Sequence, residues 1–353
     1  MASPDKVLNI GVIGTGIFAT GTHLPNLQKI PQQFKVVACS NRTKSKAETF
    51  ATKANISSDK IYESYDDLIN DKDVDVIDAL LPVENNAMIV EKAIKAGKAI
   101  AIEKPIANNL ENAKKLVQLA QNTSVPVLVL ENWLYHTATE VIKPKLKEIG
   151  TIIGFNFKST GPFYAENKYL KTSWRAKPNH IGGYLSDGGV HQLAYLVELL
   201  GEAETISAHT TQVREQSGTD DVWFSTLKMK SGAIGTFTYG SAFGAVDKSR
   251  QFVIYGDKGS VVFDFSPANP KPFVKCSYGV TGENIKTETI EIEEKDSTNG
   301  IVSEFKNFHE ATVSNDKSLL KCKPTIAFHH LAIVDAALKS SANGGSSVKV
   351  ESI

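Results

Sequence analysis

The chain has 353 residues, 41% of them apolar and 22% charged, with 39 basic and 39 acidic side chains and a formal net charge of zero. That length exceeds one comfortable core and predicts two domains, and the charge balance excludes the basic excess of a nucleic-acid binder. No apolar run approaches the ~20 residues of a membrane helix, the N-terminal MASPDKVLNIGVIG lacks a secretory leader pattern, and Cys39, Cys276 and Cys322 are too few and too widely spaced for a disulfide framework or a metal pattern, so a cytoplasmic setting is expected.

The first third of the chain alternates two patterns. Continuous apolar runs at 7–14, 34–40, 74–81, 98–104 and 125–131 predict strands buried on both faces, as in a parallel sheet. Between them, KSKAETFATKA, SYDDLIND, NAMIVEKAIKAG and NLENAKKLVQLAQN read as helices. In the last, Leu110, Ala113, Leu116, Val117 and Ala120 recur at spacings of three and four, and Gly97 ends the helix before it. Repeated strand–helix–strand units predict an α/β fold, a Rossmann-type doubly wound parallel sheet over residues 1–131.

Beyond residue 150 the pattern changes. Short alternating runs at 151–159, 205–213, 222–230, 233–241, 251–256, 260–265 and 286–293 are separated by turns such as Ser231-Gly232 and Gly256-Asp257-Lys258-Gly259. They predict an α+β domain over 132–353 with a large open-faced, mainly antiparallel sheet. Helical stretches at roughly 301–313 and 325–341 close the chain, and the second can pack back on the first domain.

The first strand runs into GVIGTGIFA, where Gly14, Gly16 and Ala19 form G-x-G-x-x-A. The first glycine permits a tight turn, the second lets backbone approach a pyrophosphate, and the small third residue allows helix–strand contact. Thr15, Ile17 and Phe18 of the same loop are expected beside the cofactor. The second strand ends in VVACSNRTKSK, and Asn41 stands where a ribose-binding acid is common. Ser40 and Asn41 are neutral and can hydrogen-bond to a 2′-phosphate, Arg42 can grip one in a bidentate fork, and Lys46 adds charge one helical turn on. NADP(H) is therefore expected over NAD(H); the plainer alternative makes Arg42 and Lys46 solvated surface charges.

The fourth strand ends in Glu103-Lys104-Pro105, which directs a lysine toward the crevice beyond the carboxyl ends of the strands. Further on lies GGYLSDGGVHQLAYLVELLG, residues 182–201. Asp187 and His191, four apart, share one helix face. Gly188 and Gly189 each cost about 1 kcal/mol against alanine in a helix, which predicts close approach by something flat, such as a nicotinamide ring. The plainer reading is an N-cap Asp and a surface His.

Strand-GxGxxA, EKP and GG-x₃-D-x-G-x-H, in this order and spacing, resemble the Gfo/Idh/MocA oxidoreductase family from about residue 7 to 341. Ala96-Gly97-Lys98 before EKP and Trp174-Arg175 before the last motif add to the likeness, which is nearest to a fungal, NADP(H)-dependent branch. The resemblance implies a cofactor domain followed by an open-sheet domain that closes the substrate site and often forms the subunit interface. It implies that Lys104 contacts substrate oxygen and the nicotinamide ribose, and that Asp187 and His191 bind and deprotonate the substrate hydroxyl. It also puts Leu81, Pro82, Asn85, Glu103, Asn132, Trp174 and Arg175 beside the cofactor, and Tyr135, Phe163 and Tyr169 beside the substrate. The sequence departs from the family pattern at Asn86, where a histidine is common, at Ala194, where an acid is frequent, and at Trp133, a loop position after the fifth strand.

Alcohol oxidation moves hydride to the nicotinamide while the hydroxyl proton leaves, so the site needs a base and a cation. Histidine, which ordinarily titrates near neutral pH, suits the base; Asp187 can orient it, and Lys104 supplies charge. The expected protein is an NADP(H)-dependent oxidoreductase acting on a secondary alcohol or carbonyl of a sugar, polyol, cyclitol or related small molecule. Two alternatives are a non-catalytic NADP(H)-binding sensor and a reductase of non-carbohydrate substrates such as dihydrodiols; Phe163, Tyr164, Tyr169 and Tyr184 could stack on a sugar or an aromatic ring alike. No metal cluster is visible, and His329-His330 read as a surface and packing pair. Neither nucleic acid nor membrane is an expected partner. Apolar residues on both alternations of IIGFNF and AIGTFTYG predict a homodimer or homotetramer through the open sheet face.

Overall fold

The computed structural model describes residues 6–166, 177–295 and 297–353. The chain forms two compact units: Met1–Tyr135 with Asp296–Phe328, and His136–Lys295 with His329–Ile353.

In the first unit, strands β1 (Leu8–Ile13), β2 (Phe34–Ser40), β3 (Ile61–Tyr62), β4 (Val76–Ala79), β5 (Ala99–Glu103) and β6 (Val127–Leu130) make one sheet in the order β3-β2-β1-β4-β5-β6. Every pairing is parallel. Most side chains of β1, β4, β5 and β6 are buried on both faces, which is why their sequences run apolar without alternation. The chain winds outward from β1 to β3 and then returns to β4. That reversal opens a crevice beyond the carboxyl ends of β1 and β4, where such folds bind ligands.

Helices cover the sheet in the usual way. The helix Leu110–Gln121 buries the stripe Leu110, Ala113, Leu116, Val117 and Ala120, and the side chain of Asn109 caps it by accepting from the Asn112 N–H at 2.8 Å. Truncating the fully buried Leu116 to alanine is expected to cost about 2–5 kcal/mol. The helix Ile301–Val313, far along the sequence, belongs to the same unit. Its Phe305 and Phe308 lie against Phe34 of β2, with ring centroids 6.1 and 6.3 Å apart, and His309 Nε2 lies 2.8 Å from the Lys6 carbonyl oxygen. Residues 296–328 therefore pack in the first unit, inside the span that the strand pattern grouped with the second domain.

Among the described residues the second unit holds nine strands: β7 (Ile152–Pro162), β8 (Ala203–Thr211), β9 (Val222–Met229), β10 (Ile234–Phe243), β11 (Ser249–Gly256), β12 (Gly259–Asp264), β13 (Phe273–Tyr278), β14 (Lys286–Glu291) and β15 (Val348–Lys349). Their order is β14-β13-β12-β11-β7-β10-β9-β8-β15. Only β7 with β10 is parallel among these pairings, so the sheet is mixed and mostly antiparallel. One face buries Phe155, Phe157, Trp223, Phe237 and Phe252. The other leaves Ile153, Phe224 and Ile234 between 50% and 60% exposed.

The sequence pattern misses two elements of this unit. The helix Thr137–Glu148 carries Pro144 inside it, and an internal proline normally argues against a helix. Strand β13 begins directly after Pro272, which hides the alternation of buried Val274 and Cys276. One reading is corrected: His329 and His330 are both buried. His329 Nε2 accepts the Ala203 N–H at 2.9 Å, and burial holds its imidazole below the ordinary range, hence neutral.

Candidate functional site

The first glycine-rich turn leaves β1 at the crevice. Gly14 has φ +91°, and a Cβ there would lie 2.3 Å from the Leu80 carbonyl oxygen, so the turn itself demands glycine. Gly16 is different: it is exposed, and an added Cβ would meet no atom of the described residues within 4 Å. Neither backbone conformation nor protein packing explains that glycine, which fits a cradle left open for a phosphate. Helical residues follow from Ile17 to Leu27, with a π-turn at Ala19–His23. Ala19 is buried, whereas Ile17 and Phe18 face solvent.

Asn41 at the end of β2 is tied to this turn. Its amide donates to Thr15 Oγ1 at 3.0 Å, and its Oδ1 accepts the Thr43 N–H at 2.8 Å. Ser40 is buried and its carbonyl accepts the Gly14 N–H at 2.8 Å. Arg42, Lys44 and Lys46 are exposed, and none has an acidic partner among the described residues. The last two lie in the first turn of the helix Lys44–Ala54, which has no acid there. Cations at the positive end of a helix dipole repel it, so an anion is the natural complement of this corner.

At the end of β5 the Lys104–Pro105 peptide is cis and Lys104 is half-buried. The flanking groups form a polar cluster that sequence reasoning missed. His23 Nδ1 lies 2.8 Å from Asp78 Oδ2, and its Nε2 lies 3.0 Å from Glu103 Oε1. Burial alone would lower the imidazole's pKa, but the Asp78 charge and the hydrogen bonds to Asp78 and Glu103 outweigh it and push it up to about 10. His23 is thus an imidazolium donating to two carboxylates. Nearby Glu304 is buried and accepts the Glu131 N–H. Burial, and then the charges of Glu103 and Glu131, hold its carboxyl well above the ordinary range, hence neutral. One clue to this cluster was legible: Asp78 interrupts the apolar run VDVIDALL, and a charge in a strand buried on both faces needs a partner.

In the second unit, Asp187 and His191 lie one turn apart on the helix Tyr184–Leu200, both half-buried. The N-cap is Gly183, so Asp187 belongs to the first turn rather than the cap. The adjacent glycines need a different explanation from the one expected. A Cβ at Gly188 would fall 2.0 Å from the Tyr239 hydroxyl, and at Gly189 about 3.5 Å from the same ring. The flat group against this helix start is the protein's own Tyr239, stacked on Tyr184 with centroids 6.1 Å apart.

The remaining expected residues divide. Asn85 is half-buried and donates its amide to the Pro82 carbonyl at 3.2 Å; Pro82 is exposed and Leu81 half-buried. Asn132 donates to the Asn299 carbonyl at 2.6 Å. Tyr135 is buried, its hydroxyl donates to Asn307 Oδ1 at 2.8 Å and the Lys321 ammonium sits 5.2 Å from its ring centre, so both ends of its side chain have structural partners. Phe163 is half-buried beneath the Arg214 guanidinium, 5.3 Å from its ring centre, and Tyr164 is exposed. Tyr169, Trp174 and Arg175 lie outside the described residues. Among the described residues no cluster of His, Cys, Asp and Glu is arranged for a metal, and no helix is long and apolar enough to cross a membrane.

Sheet order, phosphate turn and open sheet together define a two-unit nucleotide-binding oxidoreductase architecture. Residues 8–131 match the oxidoreductase family's NAD-binding Rossmann fold, and residues 144–350 match its C-terminal alpha/beta domain. The chain belongs to this Gfo/Idh/MocA oxidoreductase family, which binds a nicotinamide cofactor. It is 52% identical over 345 residues to the uncharacterized protein YMR315W of Saccharomyces cerevisiae, covering 98% of this chain and 99% of the relative. It is 28% identical to the dehydrogenase FPY6 of Fusarium mangiferae, over 96% of this chain and 98% of the other. The crystal structure of the oxidoreductase TM0312 from Thermotoga maritima superposes with a TM-score of 0.84 at 30% identity, covering 98% and 99% of the two chains.

Proposed function

We propose that the protein is an NADP(H)-dependent oxidoreductase that moves hydride between the nicotinamide and a secondary alcohol or carbonyl of a sugar, polyol, cyclitol or related small molecule. The observation that carries the cofactor choice is the corner beyond β2. Asn41 replaces the acid that would repel a 2′-phosphate, and Arg42, Lys44 and Lys46 stand at a helix start without acidic partners among the described residues. Gly14 makes the turn below it, and Gly16 leaves room for the pyrophosphate.

When bound, the nicotinamide accepts or supplies the hydride; the chain's own groups handle the proton and the charge. Lys104 holds the substrate oxygen and offsets alkoxide character. His191 takes the hydroxyl proton during oxidation and returns it during reduction, while Asp187, one turn earlier, orients His191 or a neighbouring hydroxyl. A carboxylate, an imidazole and an ammonium suit a substrate with adjacent hydroxyls. The same reading assigns cofactor binding to residues 1–131 and substrate binding to 132–353. It places the protein in the cytoplasm and makes the exposed Ile153, Phe224 and Ile234 part of a homodimer or homotetramer interface.

Fluorescence titration of the full chain with NADPH and NADH tests the cofactor choice. NADPH is expected to bind about tenfold or more tightly, and Arg42→Ala to remove most of that margin. Tighter binding of NADH would overturn it.

A further inference from the structure

We propose that His23 and Asn86 are positioning residues that clamp the Glu103-Lys104-Pro105 turn from two sides and so set where the Lys104 ammonium is held. The consequence for catalysis rests on the role given to Lys104 above; the clamp itself stands on contacts within the first unit.

The first jaw is the His23 ring. It is almost fully buried, wedged edge-on between Phe18 and Phe305 with centroids 5.1 and 5.4 Å away, so it has little freedom to turn. One nitrogen is anchored on the fully buried Asp78 of β4 at 2.8 Å, and the other reaches the Glu103 carboxylate of β5 at 3.0 Å. Charge-assisted bonds of this kind hold direction as well as distance. The second jaw is Asn86, also buried. Its amide nitrogen points at three backbone carbonyls at once, those of Glu103, Pro105 and Ile106, at 3.0, 3.2 and 3.3 Å. The two jaws grip different parts of one turn: His23 takes the side chain before Lys104, and Asn86 takes the backbone on both sides of it.

This also gives Asn86 a task. A carboxamide presents two N–H groups to those carbonyls, whereas a neutral imidazole would present one. His23 enters from the helical segment that leaves the phosphate turn, so the same segment that starts at the cofactor loop also braces the lysine turn.

Competitive acetylation of the full chain by acetic anhydride, read by peptide mass spectrometry, tests this without knowledge of the substrate. Lys98, half-buried and bonded to the Asp71 carbonyl before β5, is the internal reference. His23→Gln and Asn86→Ala are each expected to raise the Lys104-to-Lys98 labelling ratio about fivefold or more, because a released turn exposes its lysine while β5 stays intact. Should His23→Gln fail to fold, the double variant His23→Gln with Asp78→Asn, which removes the fully buried carboxylate left facing it, is read beside Asn86→Ala. An unchanged ratio, or equal rises at both lysines, would overturn the clamp. Protection of Lys104 by NADPH in the unaltered protein is a separate readout. Its absence would sink the role given to Lys104, while the labelling ratio still judges the clamp.

Discussion

The two units use similar sequence features in opposite ways. Each has paired glycines where a helix begins, and each has a buried histidine. In the first unit an added Cβ at Gly16 has no neighbour among the described residues, and His23 is held as a cation between carboxylates. In the second, Gly188 faces Tyr239 and His329 is held neutral by burial. A glycine with no protein neighbour marks room kept for something else, whereas a glycine pressed on a ring marks internal packing. The first unit therefore reads as built around a guest, and this part of the second as built around itself.

That contrast can be broken at several positions. The largest effect is expected at His23, because removing one partner of a buried charged contact costs about 3–5 kcal/mol. Its sign with pH follows from the shift. A histidine whose folded value is raised to about 10 contributes fully below its ordinary value of 6.5, and the contribution fades as pH rises through about 10. The stability gap between the unaltered protein and His23→Gln, measured by denaturant unfolding, should therefore narrow on going alkaline. His329 carries the opposite sign: its lowered value gives a contribution present above 6.5 and lost on acidification. A gap for His23→Gln that widens toward alkaline pH would mean that the ring is neutral and the contrast false.

Gly14→Ala comes next. A positive φ and a backbone oxygen 2.3 Å from the new Cβ leave no easy relaxation, and about 3 kcal/mol of stability should be lost. Gly188→Ala should cost about 2 kcal/mol through overpacking on the Tyr239 hydroxyl, and Tyr239→Phe should recover more than half of it in the double variant. Gly16→Ala should leave the unfolding midpoint almost unmoved, within about 0.5 kcal/mol, yet weaken NADPH binding about tenfold in the same titration. Gly189→Ala is the smallest: its Cβ would make ordinary contact, and the helix should gain up to about 1 kcal/mol in thermal unfolding. Loss of stability at Gly16, or loss of binding at Gly188 without loss of stability, would reverse the assignments.

Much of this is legible in the sequence. Runs such as VDVIDALL and VPVLVLE are largely apolar on both alternations because their strands are buried on both faces, and together with the helices between them they mark a parallel sheet. The pattern failed where a local signal opposed the tertiary outcome. Pro144 hid a helix that tertiary packing keeps, and Pro272 masked the start of β13. The candidate site was partly legible for the same reason. Gly14, Gly16, Lys104, Asp187 and His191 sit in spaced motifs, but His23, Asn86 and Tyr239 act through contacts that sequence distance conceals. His23 meets Glu103 across 80 positions, and Tyr239 meets Gly188 from a strand that carries no motif. What Gly188 was making room for could not be told from composition, because a nicotinamide and a tyrosine ring ask the same of a backbone.

The most direct test of the proposed chemistry is a steady-state assay that follows nicotinamide absorbance. The unaltered chain is presented with NADPH and a panel of carbonyl compounds, and with NADP and a panel of polyols. At least one substrate should turn over, and on it Lys104→Met and His191→Ala should each lose about a hundredfold or more in kcat, with NADPH affinity changed by less than about threefold. Full turnover by either variant on that substrate would contradict the account.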